Sequence, residues 1–345
     1  MQNAITWRSP SNIALIKYWG KKDGQLPENP SLSFVLKESF TKTRIRFKER
    51  TPDEAWVDFS FEGKPNAHFN SRIIRYFHEL KVYMPVIQEY HFNIESENSF
   101  PHSSGIASSA SAFSSMALCL ASFYQLVTQT LTHGTMQEMA SFIARIGSGS
   151  AARSVFPGFS LWGNTSLVDK ASDEYAVPLN HLIHPKFFHL RNAILIVSSK
   201  SKAISSSEGH QMMNNHPFAD SRYKLAHRNL RDLLNVLKDG NEKEFFKITE
   251  HEANILHSLL LSSMPGVILM KPQTIEIINA INSFRQKANM SMGYTLDAGA
   301  NVHLLYFEKD KISIHRFIRE ELTEHLEDEQ WIDDGVGEGP LQIRR

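Results

Sequence analysis

Four short stretches of the sequence combine residue types that can hold an anion or move a proton. The first is Ser96–Ala112, S-E-N-S-F-P-H-S-S-G-I-A-S-S-A-S-A. A strand-like approach, Tyr90–Glu95, meets Pro101 and a small polar turn through Gly105, after which a Ser- and Ala-rich helix runs toward Tyr124. Small residues let backbone N–H groups approach a ligand, and a helix N-terminus offers unpaired donors at the positive end of its dipole, which is chemistry for phosphate. A Ser-rich linker or a tightly packed Ala/Ser helix has the same composition, because one glycine is a thin fingerprint. The second stretch, Gly147–Ser154 (G-S-G-S-A-A-R-S), ends a helical pattern and sets Arg153 three residues after Ser150. A planar guanidinium beside hydroxyls suits bidentate capture of a carboxylate or phosphate, and a loop with a surface arginine has the same spacing. The third, Asn12–Lys22, reads as an apolar strand ending in two aromatics, a glycine and paired lysines, cations that face either an anionic ligand or solvent. The fourth, Tyr294–Asn301 (Y-T-L-D-A-G-A-N), carries Asp297 on an apolar approach to a glycine turn. A carboxylate there can accept or orient a hydroxyl proton, or can serve only to form the turn.

Other chemistries lack their residues. No G-x-x-x-x-G-K-[ST] phosphate loop and no G-x-S-x-G nucleophile elbow occurs. His251-Glu252 lacks the second histidine of a zinc helix, since position 255 is Ile255 and His257 lies off that face. The sixteen histidines are otherwise scattered, and no protein metal-ligand set is assigned.

The elements that must position these stretches follow from periodicity. Thr41–Lys48 and Trp56–Phe61 alternate apolar and polar residues and read as strands. Asn70–Leu80 and Gln137–Ile146 carry helical spacing, with Gly147 as a stop for the second. Arg191–Ser198 suits a buried strand; helical stretches follow at Ser221–Lys238, Glu242–Leu261 and Pro272–Lys287, and Gly293–Phe307 reads as strand, glycine turn, strand. The acidic segment Glu320–Asp334 reads as a solvated face or frayed end. A strand-rich first half and helix-rich second half imply an α+β, two-lobed chain with its seam near Pro185–Arg191.

Composition bounds the partners. With 345 residues, 41% of them hydrophobic, the chain can bury a core and divide into two domains, so intrinsic disorder is excluded. Lys+Arg and Asp+Glu are 37 each, and this neutral balance disfavours a nucleic-acid partner. The single cysteine, Cys119, excludes an internal disulfide and fits a reducing compartment. No targeting signal is visible, and the apolar window Met116–Val127 is short of the ~20 residues a membrane helix needs. The expectation is a soluble cytoplasmic protein with no membrane partner.

In their order, the stretches resemble the diphosphomevalonate decarboxylase family of the GHMP kinase superfamily. N-I-A-L-I-K-Y-W-G-K at Asn12–Lys21, L-P-E-N-P-S-L-S at Leu26–Ser33, the loop from Ser96, A-R-I-G-S-G-S-A-A-R-S at Ala144–Ser154 and Y-T-L-D-A-G-A-N carry the resemblance. It spans roughly residues 5–307, with weaker similarity in Lys202–Gly209 and Asn254–Ser258. It implies an α+β GHMP kinase fold, with a ribosomal-protein-S5-like N-terminal lobe over residues 1–188 and a ferredoxin-like C-terminal lobe over residues 189–345. It also implies ATP and Mg²⁺ as cofactors, 5-diphosphomevalonate as the small-molecule substrate, and a homodimer.

Position by position, the resemblance makes Asp297 the catalytic carboxylate at the substrate's 3-hydroxyl, with Arg153 and Lys21 as its catalytic companions. Arg153, Ser148 and Ser150 would hold the substrate carboxylate; Tyr18, Lys21, Arg72 and Ser206 would hold the diphosphate. Ser96, Asn98, Ser104, Gly105, Ile106, Ala107, Ser108 and Ser109 would bind ATP, with Lys202 reaching its phosphates. The chain departs from the family pattern at His102, Ser103-Ser104, Ala152, His210 and Ala300, none of which removes a charged catalytic group. The implied reaction phosphorylates the tertiary 3-hydroxyl, after which phosphate and carbon dioxide depart to leave isopentenyl diphosphate. A cation at C3 would oppose the electron-poor centre that forms there, so the lysines are expected at the phosphates. The alternatives are a phosphomevalonate decarboxylase, a related small-molecule kinase, which Asp297, Arg153 and Lys21 together argue against, and a non-catalytic ligand-binding relative.

Overall fold

The computed structural model describes residues 3–101, 106, 108–200 and 204–343. Two long antiparallel strands, β1 (Asn3–Ala14) and β2 (Ser31–Glu49), begin the chain, followed by β3 (Val57–Phe61), β4 (Lys64–Pro65), helix α1 (Ala67–Leu80) and β5 (Tyr90–Asn98). Helices α2 (Ser108–Thr128) and α3 (Met136–Gly147) and strands β6 (Phe159–Trp162) and β7 (Ala176–Pro178) complete the first lobe. Its sheet runs β4-β3-β5-β2-β1, with β6 and β7 branching from β2. From Thr41 onward β2 alternates buried and half-buried residues, the period of a sheet with one covered face.

The cover is α2, and its composition explains how. Ser111, Ser114 and Ser115 are buried, and their hydroxyls meet Thr41 (2.7 Å), Ser9 (2.7 Å) and Thr43 (2.6 Å) on the strands beneath. Small side chains bring the helix close to the sheet, and each buried hydroxyl finds a partner there. The Ser/Ala run is therefore a packed core helix whose first residues also border the cleft described below. Its serines and alanines extend it to 21 residues, beyond the apolar window read from the sequence, and it is long and apolar enough to cross a membrane; 67% of its most apolar 18-residue stretch is nevertheless buried inside the protein.

The second lobe contains β8 (Leu190–Leu195), α4 (Ser206–Gln211), α5 (Ala219–Asp239), α6 (Glu242–Leu261), α7 (Pro272–Ala288), β9 (Met292–Leu296), β10 (Val302–Phe307), α8 (Lys311–Phe317) and β11 (Trp331–Gly335). The antiparallel sheet order β11-β8-β10-β9 is fourth-first-third-second in the lobe's own count, the ferredoxin-like arrangement. Gly240, at φ +75°, stops α5, and the Asn241 side chain accepts from Glu244 N–H to start α6 at once. This tight joint lays α5 against α6. A final short strand, β12 (Leu341–Gln342), returns to pair with β1.

One apolar core crosses between the lobes. Ile13, Leu32, Phe34 and Phe159 of the first sheet share it with Ile194, Leu230, Phe245 and Phe307 of the second lobe. The acidic segment departs from the sequence expectation at this seam. Trp331–Gly335 is a sheet strand, and Asp334 is fully buried, accepting from the backbone N–H groups of Lys37 (2.8 Å), Glu38 (3.0 Å) and Ser39 (2.9 Å). A carboxylate with three backbone donors from the other lobe is a bridge between lobes rather than a solvated charge.

Candidate active site

The chain from Leu15 to Pro30, which links β1 to β2, runs into the seam and carries Lys17, Tyr18 and Lys21 to a cleft between the lobes. Lys17 lies in the apolar run A-L-I-K-Y-W and is only 2% exposed. Its Nζ donates to Asp297 Oδ1 at 3.1 Å. Burial pulls the Lys17 ammonium below its ordinary pKa; Asp297 and Glu252 push it back up, and Arg153 adds to the fall.

Helix α6 fixes both members of this pair. Glu252 lies on its buried face and accepts the Lys17 backbone N–H at 3.0 Å. Five residues further along, His257 Nε2 lies 3.1 Å from the Asp297 carbonyl oxygen, which also accepts Gly299 N–H at 2.7 Å. Arg222 of α5 makes two bonds to Glu252 (2.8 and 2.9 Å) and a third to the Lys17 carbonyl (3.0 Å), while Asn229 donates to Glu252 at 2.6 Å. Burial opposes the Glu252 charge, but Arg222 and the Lys17 and Asn229 donors outweigh it and hold its pKa below the usual range. Asp297, at the turn after β9, keeps its side chain 23% exposed.

Arg153 enters from the floor of the first lobe, buried, with one guanidinium nitrogen on Ser31 Oγ. Burial lowers its pKa to about 10 against the opposing pull of Asp297 and Tyr18, and its Nε has no hydrogen-bond partner among the described residues. A buried guanidinium with an unmet donor is a receptor for an acceptor-rich group. Asn12 braces the same floor by donating to the Ser150 carbonyl (3.0 Å) and Ser154 Oγ (2.8 Å).

The cleft holds about 930 Å³ up to its open mouth. It brings together Tyr18, Lys21, Arg72, Ser109, Ser148, Ser150, Arg153, Ser206 and Asp297 from the sequence reading. Lys21 Nζ donates to Gln25 Oε1 at 3.3 Å, and the Tyr18 hydroxyl to the Gln25 carbonyl at 3.2 Å. The Ser148 hydroxyl lies 3.4 Å from both Ser109 and Ser150.

A second cavity, of about 560 Å³, adjoins the first through Arg72 and Ser109. Phe59, Phe61, Phe69 and Phe113 form its walls, and Ser96, Asn98 and Ser108 supply polar edges. Thr41 holds Asn98 Oδ1 at 2.7 Å, and Thr43 lies 3.2 Å from Ser96 Oγ. The Arg72 guanidinium sits 4.7 Å over the Phe113 ring. Ile106 is buried and accepts from Ser11 Oγ through its carbonyl (2.9 Å), outside the lining of either cavity. His102, Ser104, Gly105, Ala107 and Lys202 lie outside the described residues.

Sequence reasoning missed Lys17, Asn12, His210 and the α5–α6 network. It expected the lysines at phosphates, whereas Lys17 sits against Asp297. The signal available was a lysine inside an apolar run, which burial makes costly unless a partner waits for it. That partner is 280 residues away, so spacing could not reveal it.

Two lobes, the fourth-first-third-second sheet and a cleft of serines and buried cations define the GHMP kinase fold. Two family models match the chain: a diphosphomevalonate decarboxylase-like N-terminal domain over residues 9–176 and a mevalonate 5-diphosphate decarboxylase C-terminal domain over residues 192–338. The diphosphomevalonate decarboxylase of Candida albicans is 30% identical over 318 residues, covering 88% of this chain and 85% of its own. Mevalonate diphosphate decarboxylase from Staphylococcus aureus superposes with TM-score 0.84 at 27% identity, over 100% of this chain and 99% of the other. The MDDEF structure in complex with MVAPP, AMPPCP and magnesium gives TM-score 0.84 at 25% identity over 100% of both chains. The chain belongs to the diphosphomevalonate decarboxylase family.

Proposed function

We propose that the chain catalyses ATP-dependent decarboxylation of 5-diphosphomevalonate to isopentenyl diphosphate. The observation that carries this reading is the Lys17–Asp297 pair facing Arg153 across a cleft that joins an aromatic cavity. The MDDEF relative's complex with MVAPP, AMPPCP and magnesium supports the ligand set.

The geometry supports the following roles. The aromatic cavity suits a nucleobase, with Ser96 and Asn98 at its polar edge. The first turn of α2, at Ser108 and Ser109, suits the nucleotide's phosphates, and Arg72 stands where the two cavities meet. Among the described residues no group of three His, Cys, Asp or Glu could cage a metal. Mg²⁺ would be held chiefly by the nucleotide's phosphate oxygens, where it would neutralise their charge.

Asp297 accepts the 3-hydroxyl proton as the γ-phosphoryl group passes to that oxygen. Lys17 holds the carboxylate in place through Oδ1. Arg153, with Ser148 and Ser150, fixes the substrate carboxylate so that its carbon–carbon bond aligns with the departing phosphate. That bond's electrons form the new double bond, the carbon–oxygen pair leaves with phosphate, and carbon dioxide is released. Tyr18, Lys21 and Ser206 take the diphosphate at the other end of the cleft.

We also propose a division of the lobes at residues 188/189, supported by the first sheet's β7 ending at Pro178 and the second sheet starting at Leu190. A cytoplasmic homodimer is part of the same proposal, and sedimentation of the purified protein tests its assembly.

The test of function is an assay with Mg²⁺ and ATP that follows ADP and labelled carbon dioxide together. One-to-one release with 5-diphosphomevalonate, and not with 5-phosphomevalonate or mevalonate, is the expected result. ADP without carbon dioxide would make the chain a kinase, and preference for the monophosphate would change its substrate.

A further inference from the structure

At the diphosphate end of the cleft lies a histidine that the reaction does not require. His210, the fifth residue of α4, is 7% exposed and lines the cleft beside Tyr18, Lys21, Ser206 and Ser207. Its Nδ1 accepts the Gly20 backbone N–H at 3.1 Å. A neutral imidazole whose Nδ1 lone pair is occupied in this way carries its proton on Nε2. Nε2 has no hydrogen-bond partner among the described residues.

The ring is held in place from both sides. It packs on Tyr18, with centroids 4.2 Å apart, and on Trp19 at 5.0 Å. The preceding residue is Gly209, where a Cβ would come within 2.5 Å of the Trp19 ring, so the backbone can approach the indole only without a side chain. Gly20 has φ +90°, which aims its N–H at the imidazole in a conformation that favours glycine.

Two of the neighbouring donors meet the same residue, Gln25. The Tyr18 hydroxyl gives its proton to the Gln25 carbonyl, and Lys21 touches Gln25 Oε1. Nε2–H therefore stands as a donor already oriented, next to an ammonium. A group that meets such a wall needs many acceptors and negative charge, which a diphosphate has and a hydroxyl or amide lacks.

We propose that His210 is a substrate-recognition residue whose Nε2–H donates to the diphosphate of the substrate beside Lys21. The inference rests on the decarboxylase reading and names one of its specificity contacts. Burial, and then the nearby Lys21 charge, push the imidazole pKa down to about 3 against the Gly20 bond. The ring thus adds a donor without adding a second buried cation.

Inorganic pyrophosphate is the probe that separates this contact from turnover. Titrated into the full-length protein, it should bind His210→Met about tenfold more weakly than wild type and His210→Gln within about threefold, because Gln retains an N–H donor. With 5-diphosphomevalonate, His210→Met should raise KM about tenfold and change kcat and the ATP KM by less than about twofold. In the wild-type protein, the ¹⁵N–¹H spectrum should place the His210 proton on Nε2 and shift that signal when pyrophosphate is added. Unchanged pyrophosphate affinity in His210→Met, equal weakening in Met and Gln, or an Nε2 signal indifferent to pyrophosphate would each overturn the proposal. If pyrophosphate behaves as expected but wild type does not turn over 5-diphosphomevalonate, the diphosphate contact stands and the decarboxylase reading falls.

Discussion

The two ends of the cleft use cations in opposite ways. At the reaction end Lys17 and Arg153 are buried, and Lys17 is gripped at its N–H, C=O and Nζ by groups from α5, α6 and the β9 turn. At the diphosphate end the Lys21 ammonium makes, among the described residues, one 3.3 Å hydrogen bond, to a residue four positions away in its own loop. The difference teaches what each charge is for. A group that must align with breaking bonds has to be immobile before substrate arrives, whereas a group that attracts a dianion needs only to be within reach. Both ends draw on both lobes, but the reaction end is tied to long elements, α5, α6 and the β9 turn, whereas the diphosphate end is built largely on one loop and the short helix α4.

The comparison breaks if reaction-end changes behave like binding losses. The largest expected effect is that of Asp297→Asn, which removes the proton acceptor and keeps the shape. We expect kcat to fall by about 10³-fold or more, with nucleotide affinity nearly intact by equilibrium titration. Equal loss of nucleotide binding would make Asp297 a structural residue of the β9 turn.

Glu252→Gln sharpens the comparison by leaving every substrate contact in place. It uncouples a buried pair, strands the Arg222 charge and weakens the grip on Lys17, so about 3–5 kcal/mol of stability should be lost in denaturant unfolding. The pH dependence has a definite sign. The folded-state pKa of Glu252 is lowered, so its contribution is present above the unfolded value and is lost as pH falls through the folded one. The melting temperature of wild type should therefore drop more steeply below about pH 4 than that of Glu252→Gln. Parallel acid limbs would show that Glu252 is not held ionised by its partners.

The smallest effect belongs to the aromatic cavity. Phe61→Ala removes one wall of several, so the ATP KM should rise about three- to tenfold with kcat for bound substrates little changed. A fall in kcat alone would place the nucleobase elsewhere.

Much of this arrangement was legible in the sequence, and the omissions share a physical cause. Helix α6 runs Glu242–Leu261 as read, because its apolar spacing is regular and Gly240-Asn241 punctuates its start. Asp297, Arg153 and the serines around position 149 were recoverable because each sits in a local motif. Lys17 was passed over in favour of Lys21 because its burial depends on Asp297, Glu252 and Arg222, none of them near in sequence. Asp334 was hidden by its acidic neighbours, since local charge density says nothing of the three backbone donors waiting at Lys37–Ser39. The Ser/Ala helix α2 had two readings, and both apply to different parts of it: its middle packs on the sheet and its first turn borders both cavities. Cross-lobe pairing is the information that periodicity cannot carry.

The most direct measurement is a steady-state comparison of Lys17→Met and Lys21→Met with 5-diphosphomevalonate, both at saturating ATP. The account predicts a split: Lys17→Met should lose at least about 10²-fold in kcat, while Lys21→Met should raise KM about tenfold and leave kcat within about threefold. Matching losses in the same parameter, or a KM effect in Lys17→Met with kcat preserved, would contradict the division between an immobile reaction end and an adaptable diphosphate end.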